Sequence, residues 1–226
     1  MDTNARIIED LRNKVGFGAE VDFMNLCKGV PLVFKGSIRQ IKSTSIVFTV
    51  QSADSICLES DDHTMILHDI FISGLRGKII EFNPVEAWVE LGEFAYTDRG
   101  FGDRATVRVE PDTPIPVEFE SNQQTFPGLV VDISLNGFGL QTSAEAAQTL
   151  AKGDPLTLHL NLMDKDLLIP CQILGVFKGA GLIRLAVNFP IDAPGRAVVT
   201  RYLSRRRAQI RQEIQAAYQK ATGNEG

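Results

Sequence analysis

Phe126-Pro127-Gly128-Leu129-Val130-Val131-Asp132-Ile133 repeats, without a gap, the pattern of Phe34-Lys35-Gly36-Ser37-Ile38-Arg39-Gln40-Ile41, 92 residues earlier. At the same offset Ile46 meets Phe138, Phe48 meets Leu140, Leu58 meets Leu150, Asp62 meets Asp154 and Ile66 meets Leu158. Past a three-residue insertion, Val89 to Phe94 then falls over Arg184 to Phe189. What recurs is the placement of apolar residues along short alternating runs, the mark of half-buried strands. The two halves are therefore expected to share one strand order.

Working outward from these runs, period and punctuation predict strands over 31–41, 45–50, 64–70, 78–82 and 87–94 in the first half. In the second they predict strands over 115–120, 128–133, 137–142, 156–162, 168–177 and 183–189. Short strands at regular spacing with Gly, Asp and Asn between them suggest small antiparallel barrels. Gly74 and Gly77, and Gly179 and Gly181, are placed at turns of such barrels. A short amphipathic helix is expected over 3–15, with Ile7, Ile8, Leu11 and Val15 on one face. A longer one is expected over 197–220, where Val199, Tyr202, Leu203, Ile210 and Ile214 keep a helical stripe after Asp192 and Pro194. The stretch 97–103 is polar and carries Gly100 and Gly102, so it reads as a linker. The expected layout is mainly β: two split β-barrels in tandem, over 1–96 and 104–226, with a short N-terminal helix and a C-terminal closing helix.

The chain has 226 residues, with 23 Lys and Arg against 28 Asp and Glu, a formal net charge of −5. An acidic total argues against a protein that coats DNA or RNA by neutralising phosphates, so any anion site must be local. Cys27, Cys57 and Cys171 are widely spaced and form no C-x-x-C pair, which indicates neither a disulfide framework nor a zinc site and fits a reducing compartment. His63 and His68 lie near Cys57, Asp61 and Asp62 without the spacing of a metal site. No apolar run reaches the length of a membrane span and the N-terminus is not a signal peptide, so a soluble cytoplasmic protein is expected. No Ser-His-Asp order, paired catalytic carboxylates or phosphate loop supports an enzyme. Trp88 is read as core or interdomain packing. The arginines at 201, 205, 206, 207 and 211 are read first as a solvated helix face.

Two short patterns carry the functional reading. Arg104-Ala105-Thr106-Val107-Arg108 is an RxxxR sequence, and Asp132-Ile133-Ser134-Leu135-Asn136-Gly137 is a DxSxxG sequence. Planar guanidinium forks make paired bonds to phosphate or to the O6/N7 edge of guanine. Asp132 and Ser134 supply an acceptor and a hydroxyl, and Gly137 admits close approach or positive φ. Alternatively, Asp132 and Ser134 cap a local turn and Gly137 is only its glycine. At the aligned positions the first half has Gln40, Lys42 and Ser45, which lack the carboxylate.

In this order, and set in barrel-type strands, the two patterns resemble the PilZ domain. The resemblance runs from Arg104 to Arg207 and takes in the Gly153-Asp154 turn, the Leu185-x-Val187-x-Phe189 strand and Tyr202-Leu203 of the last helix. It implies a receptor for cyclic di-GMP, with Arg104 and Arg108 gripping phosphates and guanine edges, Asp132 and Ser134 bonding a guanine, and Gly137 leaving space beside it. The ligand is then a messenger and no cofactor is implied. Many members carry a further Arg directly before the RxxxR; here Asp103 stands there, with Arg99 the nearest upstream cation, which favours one bound ligand over a stacked pair. The two-domain layout is similar to flagellar-brake receptors. That similarity implies interdomain rearrangement on binding and contact with a protein partner of the flagellar or polysaccharide machinery, affecting motility or biofilm. The rival expectation is a protein-interaction adaptor whose barrels bind no nucleotide.

Overall fold

A computed structural model describes residues 2–97, 107–179 and 182–223. The chain divides into two compact units. One comprises Met1–Cys27, Pro31–Arg104 and Ile210–Gly226, and the other Lys28–Val30 and Ala105–Gln209. Of the expected linker, Thr97 ends a strand and the rest lies outside the described residues, as do Arg99, Asp103 and Arg104.

In the first unit, helix α1 (Thr3–Asp10) runs into a π-turn over Leu11–Val15, and Ile7, Ile8 and Leu11 are buried. Six strands follow: β1 (Glu20–Cys27), β2 (Val30–Ile41), β3 (Ser45–Val50), β4 (His63–Leu67), β5 (Gly74–Asn83) and β6 (Trp88–Thr97). They close into an antiparallel barrel in the order β1-β2-β3-β6-β5-β4, with β4 paired back to β1. Closure leaves no bare strand edge within the ring. Alternation puts Val21, Phe23, Leu32, Phe34, Ile46, Phe48, Val89 and Leu91 inside. The Phe23 ring stacks on Phe34 at 5.4 Å and meets Phe48 edge-on at 5.3 Å. Asn4 Oδ1 accepts the Phe94 N–H at 2.7 Å, tying α1 to β6.

The second unit holds β7 (Arg108–Val109), β8 (Ile115–Ser121), β9 (Gln124–Ser134), β10 (Gly137–Ser143), β11 (Pro155–Leu162), β12 (Lys165–Lys178) and β13 (Leu182–Asn188). Strands β8 to β13 close through β9–β10 pairing into a second six-stranded ring, and β7 adds to β9 from outside it. The ring order, β8-β9-β10-β13-β12-β11, is that of the first barrel strand for strand.

The repeat extends to the hydrogen-bond register. Gly36 faces Val50 and Gly128 faces Thr142; Ile41 faces Ile46 and Ile133 faces Phe138. Each pair has one extra residue at the same place, Arg39 in β2 and Val131 in β9. A second matched pair of bulges falls at Ile80 in β5 and Leu174 in β12. Farther along, the insertion is four residues rather than three. Phe48 faces Val89 and Leu140 faces Leu185, so Val89 corresponds to Leu185 and not to Arg184. A one-residue slip moves a strand's inward set outward; Val89 and Leu185 are both fully buried, as that rule demands.

Other expectations also shift. The sequence reading passed over β1, because Asn25 occupies one of its three inward positions where alternation leads one to look for an apolar residue. Asn25 is buried by pairing: it donates to Asp61 Oδ2 at 2.8 Å and accepts from Thr64 Oγ1 at 2.5 Å. Gly74 and Gly77 lie within β5 rather than at a turn, and at Gly77 a Cβ would come within 2.9 Å of the Phe94 ring. Trp88 is half-buried at the start of β6 and donates its indole N–H to Glu86 at 2.8 Å, so it is not a core residue.

The last helix, α2 (Arg196–Thr222), buries Val199, Leu203, Arg206, Ile210 and Ile214 along one stripe. Its residues up to Gln209 belong to the second unit and those from Ile210 to the first, so it does not lie wholly with the second half. At 27 residues it runs about 40 Å. Among the described residues no helix is long and apolar enough to cross a membrane.

Candidate functional site

The site begins with the bulge in β9. Val130 points into the barrel, and with strict alternation Asp132 would follow it inward. The extra residue Val131 reverses the alternation, so Asp132 stands on the outer face opposite Gly139 while Ile133 returns to the core. Gly139 is part of the arrangement, since a Cβ there would overlap the Asp132 carboxylate.

Two arginines reach this carboxylate from neighbouring strands. Arg108 sits on β7 opposite Ser134, and its Nη1 is 3.6 Å from Asp132 Oδ1. Arg184, on β13, donates from Nη2 to Asp132 Oδ2. The Asp132 side chain is only 6 % exposed, yet Oδ1 accepts no hydrogen bond among the described residues. A buried carboxylate oxygen beside cations and without a donor among the described residues keeps an acceptor position to spare.

Ser134 and Gly137 behave differently. Ser134 donates its hydroxyl to the Gly137 carbonyl at 3.1 Å and accepts the Asn136 N–H at 3.4 Å, so it closes the β9–β10 turn. Gly137 has no positive φ; a Cβ there would overlap the Val187 carbonyl on β13, so the residue is needed for strand-to-strand approach. The same turn is held by Phe189 N–H on the Asn136 carbonyl at 3.1 Å and by Arg196 Nη2 on Asn136 Oδ1 at 3.3 Å. Together these bonds fix the turn that follows Asp132.

Arg206 lies on the buried stripe of α2, 2 % exposed, rather than on a solvated face. Its Nε donates to the Glu110 carbonyl at 2.9 Å and its Nη2 is 4.0 Å from Asp112. Arg206 thus holds the backbone two residues beyond Arg108. The helical stripe could have pointed to it, because Arg206 falls on the same face as Val199, Leu203 and Ile210. Arg184 was missed because the three-residue insertion matched it to buried Val89; with four, its counterpart is Trp88.

In the first barrel the matching positions are already filled. Gln40 stands where Asp132 does, and Lys42 Nζ and Ser45 Oγ each reach a carboxylate oxygen of Glu90 at 2.6 Å. Those bonds, from Lys42 above all and then from Ser45, hold the Glu90 carboxyl below its ordinary pKa.

Residues 103–205 match the PilZ domain family. The second unit carries a PilZ domain. Among curated proteins none matches the chain. Solved structures that resemble it include the YcgR complex with c-di-GMP from Escherichia coli, 13 % identical over 92 % of this chain and 91 % of that one, with a TM-score of 0.42. The MrkH–c-di-GMP complex of K. pneumonia is 10 % identical over 93 % and 94 %, with a TM-score of 0.45. The inhibitor of motility MotI/DgrA of Bacillus subtilis is 12 % identical over 86 % and 99 %, with a TM-score of 0.42. Within the PilZ domain, Arg108, Asp132, Ser134 and Gly137 all fall on β7, β9 or β10 around one turn, and Arg104 lies outside the described residues.

Proposed function

We propose that this chain is a cytoplasmic receptor for cyclic di-GMP, and that the messenger binds on the outer face of the PilZ barrel. The observation that carries the proposal is the meeting of Arg108 with Asp132, whose Oδ1 lacks a hydrogen-bond donor among the described residues. Guanine presents N–H donors on its Watson–Crick edge and acceptors O6 and N7 on the other. A carboxylate beside a guanidinium complements that pattern, and the same guanidinium suits phosphate. In this reading Arg104 and Arg108 grip phosphate and guanine edges and Asp132 accepts from the base. Ser134 and Gly137 keep the turn in shape and set how closely the base approaches.

The first barrel has no part in binding, because Glu90 is already satisfied by Lys42 and Ser45. Binding draws the RxxxR segment onto the barrel, alters the arrangement of the two units and so changes a contact with a protein partner of the motility or polysaccharide machinery. A receptor can shift that arrangement only by the ligand's differential affinity for the two forms.

Calorimetry on the intact chain tests the proposal, with GTP and cyclic di-AMP as competitors for the claim. Saturable binding of cyclic di-GMP, at least tenfold tighter than either, is expected. No heat with cyclic di-GMP would reject the receptor and favour a nucleotide-independent adaptor. Hydrogen exchange read on the same sample should slow over 99–109 and 132–137 and stay unchanged over 36–45. Protection centred on the first barrel would contradict the assigned site.

A further inference from the structure

We propose that Phe177 and Ala186 complete a subsite in which a guanine base packs against the Phe177 ring, over Ala186, with its donor edge turned to Asp132; this rests on the receptor reading above. The register places these residues in one row. Asp132 faces Gly139, Gly139 faces Ala186, and Ala186 faces Gly175 across four consecutive strands. All four share the outer face, and each end of the row directly follows a bulge, Val131 in β9 and Leu174 in β12. Adjacent strands lie about 4.8 Å apart, so the three small residues Gly139, Ala186 and Gly175 span roughly 10 Å of sheet that carries no long side chain of its own.

The row has walls. At one end the Asp132 carboxylate lies across Gly139. At the other, Phe177 leans along its own strand until a Cβ on Gly175 would come within 2.9 Å of Cζ, so the glycine is what lets the ring lie there. Glycine inside a strand weakens it and marks a place where another group comes close. Phe177 is nevertheless 59 % exposed and has no partner ring among the described residues. Arg184, paired with Phe177 across the strands, reaches from beside Ala186 across β10 to Asp132 Oδ2, so its guanidinium borders the row at the Gly139 end. Past Phe177 and Arg184 opens a cavity of about 370 Å³ that Gln141 and Lys178 also line, leaving cationic room for the phosphates of the same ligand.

A row of small residues says little alone; the Asp132 carboxylate lies at the Gly139 end of this one, and its Oδ1, almost wholly buried and near Arg108, has no hydrogen-bond donor among the described residues. The first barrel supplies the contrast, with the same row reading Gln40, Val47, Glu90 and Glu81. There the floor is occupied by side chains, two of them carboxylates that would repel an anionic dinucleotide. Among the described residues only the second barrel combines a floor of small residues, a carboxylate oxygen without a hydrogen-bond donor and an aromatic wall.

The experiment titrates cyclic di-GMP into the intact chain and three variants. Phe177→Ala should weaken binding roughly tenfold, the size expected for loss of one base-on-aromatic contact. Ala186→Glu, which installs the residue of the first barrel, should weaken it at least as much; the position is half-buried on the outer face, away from the barrel core, so thermal unfolding measured in parallel should shift little. Phe177→Trp combined with Trp88→Phe should retain binding, and the indole at 177 should be quenched saturably by the ligand. If the parent binds while Phe177→Ala and Ala186→Glu stay within twofold of it, or the indole is not quenched, the subsite is overturned and the receptor reading stands. A parent that binds no cyclic di-GMP overturns both.

Discussion

Arg108 Nη1 and Asp132 Oδ1 lie 3.6 Å apart although 24 residues separate them in the chain, because β7 pairs with the last two residues of β9. Two motifs that could each be local surface features thus share one carboxylate. That relationship sets the first expectation. Arg108→Ala and Arg104→Ala should each lower cyclic di-GMP affinity at least tenfold, about 1.4 kcal/mol. Arg→Lys at either position should restore little, since lysine keeps the charge without the planar fork. Calorimetry in which both lysine variants match the parent would reduce the clamp to simple charge.

Asp132→Asn should weaken binding by a similar factor, because it replaces an acceptor pair with one acceptor and one donor facing the base. Lys42→Ala, at the matching turn of the first barrel, should leave affinity unchanged. Equal effects from the two substitutions would contradict a single site.

Gly137→Ala addresses a residue whose role in the empty protein is steric. Its Cβ would overlap the Val187 carbonyl, so strands β10 and β13 must part. The expected cost is about 1–3 kcal/mol of stability in the absence of any ligand, seen as a lower unfolding midpoint. An unchanged midpoint with lost affinity would instead make Gly137 purely a ligand contact.

Arg206→Met keeps length and apolar bulk but leaves the Glu110 carbonyl without its donor. A loss of about 1–3 kcal/mol is expected from the unmet acceptor. Ligand affinity should fall as well, since the backbone beyond Arg108 is freed. Urea unfolding and calorimetry on the same variant separate the two effects.

Acid should weaken the first barrel through Glu90. Its carboxyl titrates below the ordinary value in the folded state, so the stability it contributes is full above the unfolded pKa near 4.5 and is lost as pH falls through the lowered folded one. Glu90→Gln should remove that part of the acid sensitivity. A parent and variant with parallel stability curves between neutral pH and strong acid would refute the assignment.

Much of the fold was legible because the inward residues of β2, β3, β9 and β10 alternate cleanly between apolar and polar. The offset between the halves then carried even the bulge at Arg39 and Val131 with it. Where an inward position held Asn25, alternation gave no warning that hydrogen bonds could pay for its burial, and β1 went unseen. The motif residues Arg108, Asp132, Ser134 and Gly137 were visible as a pattern, but their division of labour was not. Which glycine needs room for a carbonyl, and which hydroxyl is spent on a turn, depends on the strand lying next to it. Arg184 and Phe177 carry no motif of their own, and only the corrected alignment of β6 with β13 brings them into the frame of the site.

The paired bulges give the two barrels a common surface relief. An extra residue stands at Arg39 and Val131, and another at Ile80 and Leu174. Both barrels carry kinks that turn a row of four positions to the outer face, whatever side chains stand on it. What differs between the two rows is the side chains they carry: Glu90 and Glu81 on one, Ala186 and Gly175 on the other.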